Sequence, residues 1–114
     1  MINRKLLDET FSDYDRETVI EILDLFISEF EGRFEKLHRN ISERNFPELL
    51  LHAHSLKGVI SNFSDPECTI LATELDLMAR NQTVKGLEDV LEELEKNSRL
   101  LLKELAAIRD SLIS

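Results

Sequence analysis

Apolar residues in this chain recur at steps of three and four, the spacing that places them on one face of an α-helix. The clearest run is "DYDRETVIEILDLFISEFEGRFEKLHRNI", where Val19, Leu23, Phe26, Phe30, Phe34, Leu37 and Ile41 make a stripe of about six turns. One long helix is predicted there, with Gly32 as a tolerated weak point. "NFPE" opens a second helix: Asn45 can cap the free amides, Pro47 sits in the first turn, and Glu48 closes a capping box. Its core stripe is Leu49, Ala53, Leu56, Ile60 and Phe63. "SDPE" repeats the punctuation, with Ser64 as the expected cap, Pro66 in the first turn and Glu67 three residues on. The third helix should bury Leu71, Leu75 and Met78 and end near Asn81. From about residue 86 a last helix carries Leu87, Leu91, Leu94, Leu101, Leu105, Ile108 and Leu112, a nearly strict heptad interrupted only by Ser98.

Strand signals are almost absent, with no sustained alternation and no Asn-Gly or Asp-Gly hairpin. Three short connections between four amphipathic helices force sequential neighbours to run antiparallel. The expected fold is therefore all-α, an up-down-up-down four-helix bundle. Ile2, Leu6 and Leu7 give the first dozen residues enough apolar character for a short extra helix over one end. With no repeat, linker or low-complexity tract, residues 1–114 read as a single domain, and the initial Met favours a free-standing protein.

Acids outnumber bases 23 to 14, a net charge of −9, which argues against nucleic acid because backbone binding needs a basic face. No apolar run approaches the roughly 20 residues of a membrane span, and "MINRKLLDETF" lacks a signal-peptide core. A cytoplasmic monomer is expected. Cys68 stands alone, so it is read as a small helix residue rather than a disulfide or thiolate ligand.

"HAHSLKG", residues 52–58, concentrates two of the three histidines, a lysine and a glycine in one and a half turns of predicted helix. At about 100 degrees per residue, His54 lies roughly 140 degrees from the core stripe and should face water. His52 falls about 60 degrees to the other side, at the edge of the core. Histidines at i and i+2 do not share a face, His38 is a poor partner for either, and no metal site is expected. Lys57 and Gly58 share the outer sector with His54. A mid-helix glycine costs about 1 kcal/mol relative to alanine, and nothing on a solvent face needs it for packing. Its place suggests that something approaches the backbone there.

An exposed imidazole, a cation and a bare patch of backbone suit a phosphoryl group arriving on a histidine nitrogen. Free histidine titrates near about 6.5, so an exposed ring is mostly neutral and nucleophilic at pH 7. No Gly-rich phosphate loop exists among Gly32, Gly58 and Gly86, so no ATP-dependent kinase activity is expected and the group must come from elsewhere.

"AHSLKGVISNF" resembles the phosphoacceptor signature of histidine-containing phosphotransfer (HPt) domains, and the order of helices resembles theirs over essentially the whole chain. The resemblance implies a phosphorelay intermediate that takes a phosphoryl group from an aspartyl phosphate on one receiver domain and passes it to another. The implied partners are response-regulator receiver domains and a hybrid sensor histidine kinase. No cofactor is implied for the chain itself, Mg2+ being expected on the partner receiver. The matching acceptor is His54, Lys57 matches the lysine that screens the phosphoryl charge, and Gly58 the residue that lets the receiver come close. Asp76 stands where relatives usually carry Glu or Gln to orient the imidazole, and Arg80, four residues on, resembles a basic position near the site. Many relatives have a left-handed glycine where this chain has Ser64, which either tolerates that conformation or, the preferred reading, caps the following helix. Leu50 is the leading candidate for the apolar docking patch, followed by Leu6, Leu7 and Ser61. The alternatives are a module that binds a receiver or kinase without chemistry, and a helical dimerisation domain supported by the heptad from Leu87 to Leu112.

Overall fold

A computed structural model describes residues 1–114. It is all-helical: α1 spans Arg4–Thr10, α2 Arg16–Ser42, α3 Phe46–Ile60, α4 Pro66–Arg80 and α5 Leu87–Ile113, with a 3-10 turn at Ser61–Phe63. The expected bundle forms. α2 packs on α3, α3 on α4, α4 on α5, and α5 closes the ring against α2. α2 and α5 each have 27 residues and α3 and α4 have 15. The long pair therefore projects past the turn joining α3 to α4. α1 covers that end, where the Asn3 N–H donates to the Ser64 carbonyl at 2.7 Å.

The stripes read from the sequence fill the core. Leu23, Phe26, Phe30, Phe34, Leu37 and Ile41 from α2 meet Leu49, Ala53, Leu56 and Ile60 from α3 and Leu87, Leu91, Leu94, Leu101 and Leu105 from α5. Phe63, from the 3-10 turn, packs edge-on against Phe26 with ring centroids 5.0 Å apart. α4 departs in detail: Cys68, Ala72, Leu75 and Ala79 are its buried positions, while Leu71 and Met78 only flank the core. Small residues predominate there, so α4 can lie close to α3, and the polar Asp76 is buried with them.

Helix starts follow local chemistry. The Asn45 side chain accepts from the Glu48 amide, as the capping pattern predicts. The cap expected at Ser64 is a correction: Asp65 caps α4, accepting from the Cys68 amide at 3.1 Å, with Pro66 as the first helical residue. Ser64 instead holds a left-handed conformation, φ 55 and ψ 42. An N-cap needs extended backbone, which Asp65 has directly before Pro66, whereas Ser64 is taken up by the left-handed turn that leaves the 3-10 segment; the Asp65 carboxylate also complements the positive helix end.

Candidate functional site

His54 sits midway along α3 on the side facing away from the core, and its side chain is 66% exposed. The stripe Leu49, Ala53, Leu56 and Ile60 fixes the rotation of α3, so the exposure of His54 follows from the burial of these four. One turn on, Gly58 is exposed, and a Cβ built on it would meet no atom within 4 Å. The backbone beside His54 is therefore open to an approaching surface.

α4 supplies the other side of the site. Asp76 is buried to 2% and its carboxylate lies beneath three cationic or titratable groups. Oδ1 is 3.4 Å from Nδ1 of His54; Oδ2 is 3.5 Å from Lys57 Nζ and 3.6 Å from Arg80. Oδ1 has no hydrogen-bond partner and faces the imidazole across an ion-pair distance. A buried carboxylate is tolerated only with such compensation, and here the compensating cations reach it from half-exposed stems. Asp76, Lys57, Arg80 and His54 thus form one cluster.

His52 points the other way. Its Nδ1 donates to Asn40 Oδ1 at 2.8 Å, tying α3 to α2. His38 is on a third face, with Nε2 2.6 Å from Glu95 of α5. No group of three or more histidine, cysteine or acidic side chains converges to hold a metal ion. Cys68 is buried and its thiol is pushed up to about 12, first by burial and then by the charge of Asp65.

The apolar surface around His54 differs from the expected one. Leu50 is half-buried against the core, whereas Leu51, 61% exposed, joins Leu50, Pro47, His54 and Arg80 in a shallow depression. At 100 degrees per residue Leu51 is the position more nearly opposite Leu49, a signal the sequence contained. Leu77 of α4, 50% exposed, adds apolar surface on the helix that carries Asp76 and Arg80. Of the remaining docking candidates, Leu6 is 49% exposed on α1. Leu7 is a correction: at 2% exposure it belongs to the core, because α1 turns this residue inward to cover the bundle end. Ser61 is exposed, with its hydroxyl donating to the Gly58 carbonyl at 2.6 Å, and so closes the end of α3.

The site is thus an exposed histidine over a buried carboxylate, on the second helix of a four-helix bundle. The family model for the Hpt domain matches residues 21–111, and the chain belongs to that family. It is also similar to the phosphorelay intermediate protein rdeA of Dictyostelium discoideum, 23% identical over 96 residues that cover 84% of this chain. The chain spans 38% of the length of that relative. No solved structure matches. No helix is long and apolar enough to cross a membrane. A role in phosphotransfer follows from membership of the family.

Proposed function

We propose that residues 1–114 act as one phosphorelay module in which His54 accepts a phosphoryl group from the aspartyl phosphate of a receiver domain and passes it to the aspartate of another. The observation that carries this reading is the placement of the His54 ring, 66% exposed with Nδ1 facing a buried carboxylate. An ionised carboxylate can only accept, so the proton of the neutral ring belongs on Nδ1 and the lone pair on the outward Nε2. Nε2 attacks phosphorus, the P–O bond to the donor carboxylate breaks, and the carboxylate leaves as an anion. The ring gains positive charge, which the Asp76 carboxylate 3.4 Å away stabilises. Onward transfer reverses these steps on a second receiver.

Lys57 and Arg80, each paired with Asp76 Oδ2, can turn to the phosphoryl oxygens without crossing the site. Phosphoryl transfer depends mainly on alignment and charge neutralisation, and the magnesium ion of receiver chemistry comes with the partner. Leu51, Leu50 and Leu77 give that partner apolar surface on both sides of the histidine.

Incubation with a phosphorylated receiver and magnesium should place one acid-labile, alkali-stable phosphate on His54, and His54→Gln should take up none. Labelling of the Gln variant would end the assignment. Equal receiver capture by parent and His54→Ala, with no transfer by the parent, would instead favour a binding module.

A further inference from the structure

Between α2 and α3, on the flank opposite Asp76, lies a recess of about 200 Å³ lined by Glu29, Arg33, Lys36, His52 and Ser55, with no apolar residue among them. Three of the five are cationic or can become so, in a chain where acids outnumber bases 23 to 14. Arg33 donates through Nη1 to Ser55 Oγ at 3.1 Å, while its Nε is buried and has no partner. The one acid of the recess, Glu29, is 3.8 Å from Arg33, a loose contact within one helix. Lys36 is exposed, and no carboxylate of the fold comes within ion-pair distance of it. His52 has Nδ1 committed to Asn40, which leaves Nε2 for the recess; Glu48, 3.8 Å from Nε2, is its only acidic neighbour.

We propose that this recess binds a small tetrahedral oxyanion of the phosphate class, at a site separate from His54. The donor set fits. The guanidinium offers planar N–H groups, the ammonium a mobile point charge, and the Ser55 hydroxyl a donor or acceptor that rotates to suit. A neutral His52, with its proton on Nδ1, can take a hydrogen bond from the P–OH of hydrogen phosphate at Nε2, and a protonated ring can donate to a phosphate oxygen. Hydrogen phosphate, which carries both kinds of oxygen, satisfies the imidazole in either state. Arg33 Nη1 already meets Ser55 on this flank, so the rest of the guanidinium edge is held in place for such an anion. Ser55 adjoins His54 in the chain but faces α2 rather than α4, so occupancy of the recess leaves the imidazole of His54 free.

The chain has three histidines, giving three ring signals that report separately by NMR. Titration with inorganic phosphate, at fixed pH and ionic strength, should move the His52 signal along a saturating curve. Arg33→Gln and Lys36→Gln should each weaken the apparent affinity about tenfold, the loss of one charge-assisted contact. His54→Gln should bind phosphate as the parent does, whatever its effect on transfer. A His52 response reproduced by chloride at equal ionic strength would overturn the proposal, as would curves unchanged in both Arg33→Gln and Lys36→Gln, or a shift confined to His54.

Discussion

Asp76 is the residue on which the chemistry of His54 turns. Asparagine at position 76 keeps the size and one acceptor oxygen but loses the charge that balances the imidazolium formed during transfer. Lys57 and Arg80 reach water from their own stems, so they are not stranded by the change and the fold should hold. Loss of a charge-assisted contact of about 1.5–3 kcal/mol predicts that Asp76→Asn slows single-turnover transfer roughly 10- to 100-fold. An unaltered rate would reduce Asp76 to a structural role. Gly58 gives the opposite sign for stability. Nothing lies within 4 Å of an added Cβ, so Gly58→Leu should stabilise α3 by up to about 1 kcal/mol while hindering the approach of a receiver. Thermal melting and transfer rate measured on the same variant should move in opposite directions. The positions of His54, Lys57 and Gly58 were legible because a buried stripe fixes the rotation of a helix and the rest follows by angle, whereas Asp76 came only from the family resemblance, since the α4 stripe read from the sequence was not the buried one. Leu51 was missed for Leu50 although the same angle separates them: Leu51, about 200 degrees from Leu49, is outermost, and Leu50, at about 100 degrees, lies on the flank that a neighbouring helix half-covers.

At the scale of elements, helix starts were more legible than helix ends. Asn45 and Pro47 announce α3 by side-chain chemistry, but α2, the α3 turn and α4 end in left-handed residues that are not glycine: Arg44, Ser64 and Gln82 at φ 52, 55 and 54. A left-handed non-glycine residue costs about 1–2 kcal/mol, and a new glycine returns part of this as disorder in the unfolded chain. Ser64→Gly should therefore raise stability by about 0.5–1 kcal/mol, read as a higher denaturant midpoint at constant slope. Inside α5 the heptad breaks at Ser98, which is fully buried, its Oγ meeting no nitrogen or oxygen partner and only the weak acceptor of the Cys68 thiol on α4. Burial of a hydroxyl without a strong hydrogen bond is unfavourable, so Ser98→Ala should stabilise by about 1 kcal/mol. A destabilised Ser98→Ala would mean that the hydroxyl has a role in α4–α5 packing that so weak a contact does not reveal.

Across the whole molecule, charge separates the transfer face from the clasp that joins α2 to α5. Arg99 of α5 donates to Glu31 of α2 at 2.7 Å and to Glu95 at 2.9 Å, and lies 5.1 Å above the Phe30 ring. The hydrogen bond from Arg99 holds the Glu31 carboxyl below its ordinary range. For Glu95 burial pushes upward, but hydrogen bonds from His38 and Arg99 together outweigh it and the net shift is down. Asp15 is also lowered, by the Thr18 amide it caps. A carboxyl whose folded value is depressed contributes stability that is present above its unfolded value and lost as pH falls through the folded one. Melting temperature should therefore drop as pH falls below about 4.5, the ordinary upper edge of these carboxyls. Arg99→Met keeps apolar cover over Phe30 while removing the cation from Glu31 and Glu95. The variant should melt below the parent at pH 7, and the gap should narrow as pH falls below the ordinary carboxyl range and through the depressed values of both groups in the parent. Salt near 1 M, where the Debye length is about 3 Å, should narrow it at neutral pH as well. Transfer at His54 should not change, because α3 and α4 carry that site and neither contributes to the clasp. A gap constant from pH 7 to pH 3 would assign the effect to packing on Phe30 rather than to charge.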